Sequence, residues 1–173
     1  MNYVLEINET DEIIGRQEKL LAHQRGILHR AFSIFIFNSK GELLLQQRAD
    51  NKYHCGGLWT NTCCSHPYDE DTLSWAHRRL QEEMGFDCPL TFVEKFRYKS
   101  QLNNDLIENE LDYIYKGVYN GEVIFNPFEV QAIQYISWQK LQQDLQKYPE
   151  KFTPWLKLIC ETTDIMHGKN SIE

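Results

Sequence analysis

Two adjacent cysteines and a nearby histidine form the first group of residues that could do chemistry. The segment NTCCSHP (residues 61–67) contains Cys63, Cys64 and His66. Adjacent cysteines rarely bridge each other because the short ring strains the disulfide geometry. The chain has five cysteines and no CxxC pair, which is typical of reduced thiols. If this segment is extended, Cys64 and His66 share one face, and Cys63 faces the core as a small buried residue. The same core interpretation applies to Cys55, Cys88 and Cys160.

Two glutamates form a second reactive pair in the segment IENEL (residues 107–111). In a strand, residues two apart point to the same side, so Glu108 and Glu110 point together and Asn109 points away. Two like charges on one face repel each other unless a cation joins them. The pair therefore indicates either a metal site or a solvent-facing acidic strand edge.

A third group lies on the clearest predicted helix, residues 69–85, which has acids at its start and Gly85 at its end. An advance of about 100° per residue places Ala76, Leu80 and Met84, with Leu73, on the buried face. Glu83 then lies at the edge of that face, one turn after Arg79. This pair is either a surface ion pair or a carboxylate and a guanidinium directed into a cleft.

The remaining elements must position these groups. Segments 3–7 and 12–15 predict an N-terminal hairpin, and segments 30–38 and 43–48 predict a second hairpin in the core. Residues 16–23 fit a short helix or an extended lid, and the tail 167–173 is expected to fray. Further strands are predicted at 91–98, 111–119 and 131–137, and further helices at 137–146 and 153–166. Strands mixed with helices predict one α/β (α+β) domain over residues 1–173, with a mixed sheet sandwiched between helices.

Charge and hydropathy narrow the class of partner. Eighteen Lys and Arg against 25 Asp and Glu give a net charge of −7, which opposes nonspecific binding to nucleic acid or anionic membranes. The acidic start does not resemble a signal peptide, and the apolar stretch 31–39 is too short to span a bilayer. We therefore expect a cytoplasmic protein, either monomer or homodimer, and an anionic small molecule could still bind in a local cationic pocket.

The helix also carries a resemblance to a known family. The segment RRLQEEMGF (residues 78–86) resembles the end of the Nudix box, with Arg79 in place of an acid and Cys64 in place of the opening glycine. The segments LHRAFSIFIFNSKGELLLQQRADNK, WTNTCCSHP, FRYKS and IENEL resemble the type 1 isopentenyl-diphosphate isomerases, a branch of the Nudix fold. The similarity runs from about residue 19 to residue 155, and four motifs in the same order are a specific signal.

The resemblance implies a metal site and a diphosphate site. It places Mg²⁺, Mn²⁺ or Zn²⁺ on three histidines and two carboxylates, which are His23, His29, His66, Glu108 and Glu110. It places the substrate diphosphate on Lys19, Arg48, Lys52 and Arg79, and a second Mg²⁺ bridged to that diphosphate on Glu83.

The implied reaction interconverts isopentenyl and dimethylallyl diphosphate through a tertiary carbocation. The resemblance implies Cys64 and Glu110 as acid and base on opposite faces of the substrate, with Tyr98 hydrogen-bonded to Glu110. Trp155 would lie against the cation, although its helical spacing also fits a core residue. Nearby cations and the metal are expected to lower the pKa of Cys64. The alternatives are a Nudix diphosphohydrolase, disfavoured by Arg79 and the cysteine, and a non-catalytic binding module.

Overall fold

One mixed β-sheet flanked by helices makes up the protein, which is described over residues 2–167 of a computed structural model. Nine strands in this part of the chain form a single hydrogen-bonded sheet. The strands are β1 (Tyr3–Ile7), β2 (Ile13–Glu18), β3 (His29–Phe37), β4 (Leu43–Arg48), β5 (Trp59–Thr60), β6 (Cys63–Ser65), β7 (Thr91–Gln101), β8 (Ile107–Val118) and β9 (Val130–Ile136). The helices are α1 (Lys19–Arg25), α2 (Thr72–Met84), α3 (Trp138–Lys147) and α4 (Pro154–Thr162), with a 3₁₀ turn at Pro149–Lys151.

The central strand β3 holds the sheet together. It is buried along its whole length, as its β-branched and aromatic residues predict. It pairs in parallel with β8 and antiparallel with β1 and β6. The predicted hairpin of β3 and β4 is wrong in extent, since these strands are paired only at Phe37 and Leu43. Beyond that turn, β4 pairs with β9 instead.

Alternation along β3 divides the core into two layers. Phe32, Ile34 and Ile36 pack toward α2, together with Cys63 and Leu80. On the other face, Phe35 and Phe37 pack with residues of α3 and α4. The predicted sandwich of a mixed sheet between helices is therefore confirmed, and its two faces follow from the two-residue period of the strand.

The N-terminal hairpin is confirmed, and the segment after it is a helix. Strands β1 and β2 pair antiparallel from Tyr3–Glu18 to Ile7–Ile13. The Glu18 side chain accepts hydrogen bonds from the first backbone N–H groups of α1, which caps the helix. Helix α1 ends at Gly26, which is left-handed with φ 63°. The predicted helix over residues 16–23 is thus correct from Lys19 onward, whereas residues 16–18 are extended and belong to β2.

Helix α2 is capped as the sequence predicts but is shorter. Asp71 accepts a hydrogen bond from Ser74 N–H at its start, and Gly85 ends it in a left-handed conformation. Ala76, Leu80 and Met84 are fully buried, whereas Leu73 is 41% exposed. The predicted burial of Leu73 is wrong because the apolar cluster begins one turn further along the helix, at Ala76.

The C-terminal helices also begin where expected. The Ser137 side chain caps α3 through Lys140 N–H, whereas the Thr153 hydroxyl donates to Thr60 Oγ1 rather than capping α4. Helix α4 ends at Thr162, four residues before its predicted end. Most of the tail that we expect to fray, residues 168–173, lies outside the described residues. Among the described residues, no helix has the length and apolar character needed to cross a membrane.

Candidate active site

A polar cavity of about 440 Å³ opens at one end of the sheet and contains most of the side chains singled out in the sequence. Its volume lies within the ordinary range for small-molecule sites. Catalytic candidates from three strands and a helix reach it: Cys64, Tyr98, Glu110 and Trp155. Cationic candidates line it as well: Lys19, Arg48, Lys52 and Arg79.

Strand register places Glu110 between two partners. In the parallel pair, Glu110 of β8 lies opposite His29 of β3, and in the antiparallel pair it lies opposite Tyr98 of β7. The Tyr98 hydroxyl donates to Glu110 Oε2 at 2.7 Å. His29 Nε2 lies 3.2 Å from Glu110 Oε1. The three side chains meet because directly paired residues point to the same side of the sheet.

The cysteine and the third histidine reach the cavity from β6. Cys64 pairs with Ser33 of β3 and faces the cavity, and Cys63 pairs with Ile34 and faces the core. His66 follows the strand on the Cys64 side, with its Nε2 at 2.9 Å from Glu110 Oε1. The predicted opposite orientations of Cys63 and Cys64 are confirmed.

A tight loop after α1 places His23 beside the cluster of His29, His66 and Glu110. The Asn109 side chain donates to the carbonyl of Gly26, which joins the end of α1 to the back of β8. A Cβ at Gly26 would lie 3.2 Å from Ile107, and its φ of 63° also favours glycine. His23 Nε2 consequently lies 3.6 Å from Glu108 Oε1.

A fourth histidine in this group, His54, was missed in the sequence. Its Nε2 lies 2.8 Å from Glu108 Oε1, and its ring centroid lies 5.4 Å from that of His23. Burial lowers the pKa of His54. The only signal in the sequence is one histidine between Tyr53 and Cys55, and no regular spacing connects it with the other ligand candidates.

The donors in this cluster fit a divalent cation. Ligand atoms from His23, His29, His66 and Glu110 all lie within 4.8 Å of one another. The carbonyls of Lys19 and Ile27 face Nδ1 of His23 and His29, so each ring presents Nε2 to the cluster. His23 Nε2 and Glu108 Oε2 are buried without a hydrogen-bond partner in residues 2–167. Buried ligand atoms that lack a partner are costly, and a bound cation would satisfy them.

The cationic candidates fall into two groups. Lys19 and Arg48 have no carboxylate within ion-pair distance in the described chain, and burial and Arg48 lower the pKa of Lys19. By contrast, Lys52 forms an ion pair with Glu129, and Arg79 pairs with Glu83 at 2.7 Å. The interpretation as a surface ion pair is therefore wrong for Glu83, which is buried, although the two side chains do pair with each other. Both side chains line the cavity.

Glu129 was also missed in the sequence. It precedes β9, lines the cavity, and contacts both Lys52 and Arg79. Burial opposes ionisation, but the hydrogen bonds and charges of those two cations lower the pKa of Glu129. No sequence spacing connects Glu129 with α2, so only the folded chain brings it to this site.

The environment of Cys64 corrects the expected thiolate. Burial raises the pKa of Cys64 to about 12, and Arg48 and the neighbouring hydrogen bonds do not offset it. The thiol donates to Asn61 Oδ1 at 3.1 Å, and the Trp155 indole N–H donates to its sulfur at 3.2 Å. The expectation that neighbouring cations lower the pKa of Cys64 is therefore wrong, because burial of the thiol outweighs their effect.

The other cysteines follow the core interpretation with one exception. Cys63, Cys88 and Cys160 are buried among apolar residues. Cys55 is only partly buried, because it lies in the loop after β4 with a left-handed φ of 52°. The prediction that Cys55 is a core residue is wrong.

The pKa values of the carboxylates beneath the cavity are shifted in opposite directions. Burial would raise the pKa of Glu110, but the contacts of its Oε1 with Nε2 of His29 and His66 outweigh burial and hold the pKa well below the ordinary value. Burial and the charge of Glu110 instead raise the pKa of Asp112, one strand period further along β8. Burial also raises the pKa of Tyr98, which keeps its proton for the hydrogen bond to Glu110. The pKa of Glu110 is thus lowered, whereas those of Asp112 and Tyr98 are raised.

Comparisons with known proteins identify the family and the fold. A NUDIX domain is recognised over residues 27–156. The chain is 50% identical over 168 residues to the isopentenyl-diphosphate Delta-isomerase of Serratia proteamaculans (strain 568), covering 96% of this chain and 92% of that protein. It is 39% identical over 165 residues to the enzyme of the same name from Halorhodospira halophila (strain DSM 244 / SL1), covering 93% and 94%.

Solved structures share the fold at low identity. A crystal structure of a Deinococcus radiodurans protein superposes with a TM-score of 0.74 at 16% identity, covering 94% of this chain and 99% of that one. The MutT protein of Methanosarcina mazei Go1 gives a TM-score of 0.64 at 18% identity, with coverages of 78% and 91%. The fold is therefore the Nudix fold, and by sequence the chain belongs to the isopentenyl-diphosphate Delta-isomerase family.

Proposed function

We propose that the protein isomerises isopentenyl diphosphate to dimethylallyl diphosphate. The observation that carries the proposal is the presence of the Cys64 thiol and the Glu110 carboxylate in the wall of one cavity. A thiol can donate a proton and a carboxylate can accept one, which is what the reaction requires. Relatives that are about half identical over most of the chain carry the name of this activity.

The cationic side chains would bind the diphosphate. Lys19 and Arg48 face the cavity without a carboxylate partner in residues 2–167, so they offer positive charge directly. Lys52 and Arg79 would exchange Glu129 for the phosphate oxygens. Glu83 would hold Mg²⁺ bridged to the diphosphate, since Mg²⁺ binds few protein carboxylates and several phosphate oxygens.

The histidine and glutamate cluster would hold a second divalent ion. His23, His29, His66, Glu108 and Glu110 are a mixed set of nitrogen and oxygen ligands that suits Mn²⁺, Zn²⁺ or Mg²⁺. When bound, such an ion supplies positive charge that lowers the proton affinity of its carboxylate ligands.

The reaction moves one proton onto the substrate and removes another. A proton added to C4 of the alkene leaves a tertiary carbocation at C3, and removal of a proton from C2 forms the new double bond. The formula is unchanged, and the enzyme needs one donor and one acceptor on opposite faces of the five-carbon chain. We assign these roles to Cys64 and Glu110, which exchange them between the two directions of the reversible reaction.

Two aromatic side chains would support these steps. Tyr98 donates to Glu110 Oε2 and so fixes the orientation of that carboxylate. Trp155 donates to the Cys64 sulfur and presents its ring to the cavity, where a cation–π contact is worth about 2 kcal/mol when water is excluded. Exclusion of water also prevents capture of the carbocation as an alcohol.

An assay of isopentenyl diphosphate with Mg²⁺ tests the proposal against its rivals. An allylic diphosphate product supports an isomerase, inorganic phosphate indicates a Nudix diphosphohydrolase, and neither product indicates a binding module. Arg79 occupies the position of a box acid, which argues against hydrolysis.

Glu110→Gln provides a variant test. We expect it to abolish isomerisation, because an amide does not accept the proton. Glu122→Gln, at an exposed position outside the cavity lining, is the control and should retain activity. Substantial turnover by Glu110→Gln would overturn the assigned role.

A further inference from the structure

His54 lies in a loop whose shape is fixed by its backbone. The loop follows β4 and is closed at its base by hydrogen bonds from Gly57 N to Arg48 O and from Arg48 N to Leu58 O. A Cβ at Gly56 would lie 2.6 Å from the carbonyl oxygen of Asp50, so that position requires glycine. The Arg48 guanidinium also donates to the His54 carbonyl at 3.3 Å. These contacts hold His54 against Glu108 at the cavity wall, where its side chain is almost wholly buried.

The contact of His54 with Glu108 resembles the contacts within the ligand cluster. His29 and His66 place Nε2 at 3.2 and 2.9 Å from a Glu110 oxygen, and His54 places Nε2 at 2.8 Å from a Glu108 oxygen. Ligand atoms bound about 2.1 Å from one ion and at right angles are about 3 Å apart. Ligand atoms of His54, His23 and Glu108 all lie within 4.8 Å of one another.

Two candidate ligand atoms in this group are buried without a partner. His23 Nε2 and Glu108 Oε2 each lack a hydrogen bond within residues 2–167. A buried polar atom that is left unpaired has a substantial free-energy cost, and two in one contact group indicate a missing partner. A cation satisfies a carboxylate oxygen and imidazole nitrogens together.

We propose that His54 is a fourth histidine ligand of the metal centre, on the Glu108 side of the cluster. The proposal rests on the metal site of the proposed function and adds a residue to it. The two candidate ligand groups share His23, whose Nδ1 faces the Lys19 carbonyl and leaves only Nε2 for a metal. One imidazole nitrogen has one lone pair, so the two groups cannot hold two separate ions that both bind His23.

Metal binding without substrate tests the proposal independently of turnover. Purified protein is stripped with a chelator and titrated with Mn²⁺, and free Mn²⁺ is followed by electron paramagnetic resonance. Pulsed measurements on the Mn²⁺ form then count the coordinated imidazole nitrogens. The variants are His54→Ala and His54→Gln, and the glutamine variant retains a polar side chain if the alanine variant does not fold. The control is His77→Ala, a surface histidine paired with Asp87.

We expect one Mn²⁺ and four coordinated imidazoles in the wild type, and three in the His54 variants. We also expect the Mn²⁺ dissociation constant to rise about 100-fold in those variants and to stay unchanged in His77→Ala. Three imidazoles in the wild type would overturn the proposal, even if affinity falls, because His54 would then only orient Glu108. Two Mn²⁺ ions per chain would also overturn it. If the wild type binds Mn²⁺ through four imidazoles but shows no isomerase activity, that result would contradict the proposed function and leave the metal-ligand proposal in place.

Discussion

Two polar clusters in this protein differ in how completely their atoms are paired. Near the N-terminal hairpin, the Asp11 carboxylate accepts hydrogen bonds from Arg30 at 2.7 Å, from Lys95 at 2.5 Å and from the Tyr113 hydroxyl. At the cavity, Glu108 and Glu110 lie on one face of β8 and contact imidazoles instead of lysine or arginine partners. Several ligand atoms there lack a partner within residues 2–167.

This difference separates a cluster that stabilises the fold from one that we propose takes part in catalysis. The Asp11 cluster pairs a carboxylate with two cations and so lowers the energy of the folded chain by itself. The cavity cluster places like charges and unpaired atoms together, which costs stability until an ion and a substrate bind. Substitutions in the cavity cluster should therefore lower activity, and substitutions in the Asp11 cluster should lower stability.

The largest expected effect is that of Cys64→Ala. We expect it to lower isomerisation at least about 10³-fold, because a proton donor or acceptor is lost. Its melting temperature should change little, which circular dichroism would measure. The adjacent Cys63→Ala, in the core, should keep its activity and lose about 1 kcal/mol of stability. If Cys64→Ala retained a tenth of the activity, the cavity cluster would not be the catalytic one.

Metal removal should show how much the neighbouring Glu108 and Glu110 side chains destabilise the folded protein. With a chelator, we expect the wild type to lose activity and to melt at a lower temperature, and Mn²⁺ or Mg²⁺ should restore both. In the chelator, Glu108→Gln should be about 1–2 kcal/mol more stable than the wild type, because it removes one of two neighbouring buried charges. Glu82→Gln serves as the exposed control. Equal stability of Glu108→Gln and wild type would argue against unfavourable pairing.

Asp11→Asn should show the opposite pattern. It removes the charge that Arg30 and Lys95 contact, and we expect a loss of about 1 kcal/mol of stability at pH 7 with activity unchanged. Urea denaturation and the isomerase assay measure the two quantities. A large loss of activity in this variant would remove the distinction between the clusters.

The pH dependence of this variant follows from the Asp11 pKa. Burial would raise that pKa, but hydrogen bonds from Lys95, Tyr113 and Arg30 outweigh burial and lower it below 3.8. The folded chain then binds the proton more weakly than the unfolded chain, so the contribution is complete above pH 3.8. It is lost as the pH falls through the lowered pKa. The difference between wild type and Asp11→Asn should therefore shrink below about pH 4, and a constant difference would contradict this explanation.

The smallest expected effect concerns Glu129. Glu129→Gln frees Lys52 and Arg79 from a competing carboxylate, and we expect the KM for the diphosphate substrate to fall about fivefold, or about 1 kcal/mol. The kcat should stay close to that of the wild type. Glu82→Gln, which frees Arg79 from an exposed partner only, should change KM less. A higher KM in Glu129→Gln would mean that Glu129 holds the two cations in position.

Local patterns predicted the elements but not all of their partners. Alternation in β8 correctly placed Glu108 and Glu110 on one face, and Gly85 correctly ended α2. These features depend on residues close in the chain. Pairing of β4 with β9 instead of β3 depends on burial of both strands in the folded core, which no short window contains.

The distinction between local pattern and long-range contact also applies to the residues that line the cavity. Motif resemblance predicted a set of site residues, whereas His54 and Glu129 belong to no recognised motif and reach the cavity through a loop and the start of a distant strand. The pKa of Cys64 was misjudged because burial, which dominates it, cannot be read from neighbouring charges in the sequence.

The sequence by itself determined the family, the alternating faces of the strands, the end of α2 and the candidate reactive groups, because each depends on residue type and short-range spacing. Only the tertiary structure decided which of those groups meet. His29, Tyr98 and Glu110 come together through strand register, and the protonation of Cys64 follows from enclosure by chain segments far apart in sequence. Register and burial are properties of the whole sheet, since they depend on every strand packing at once.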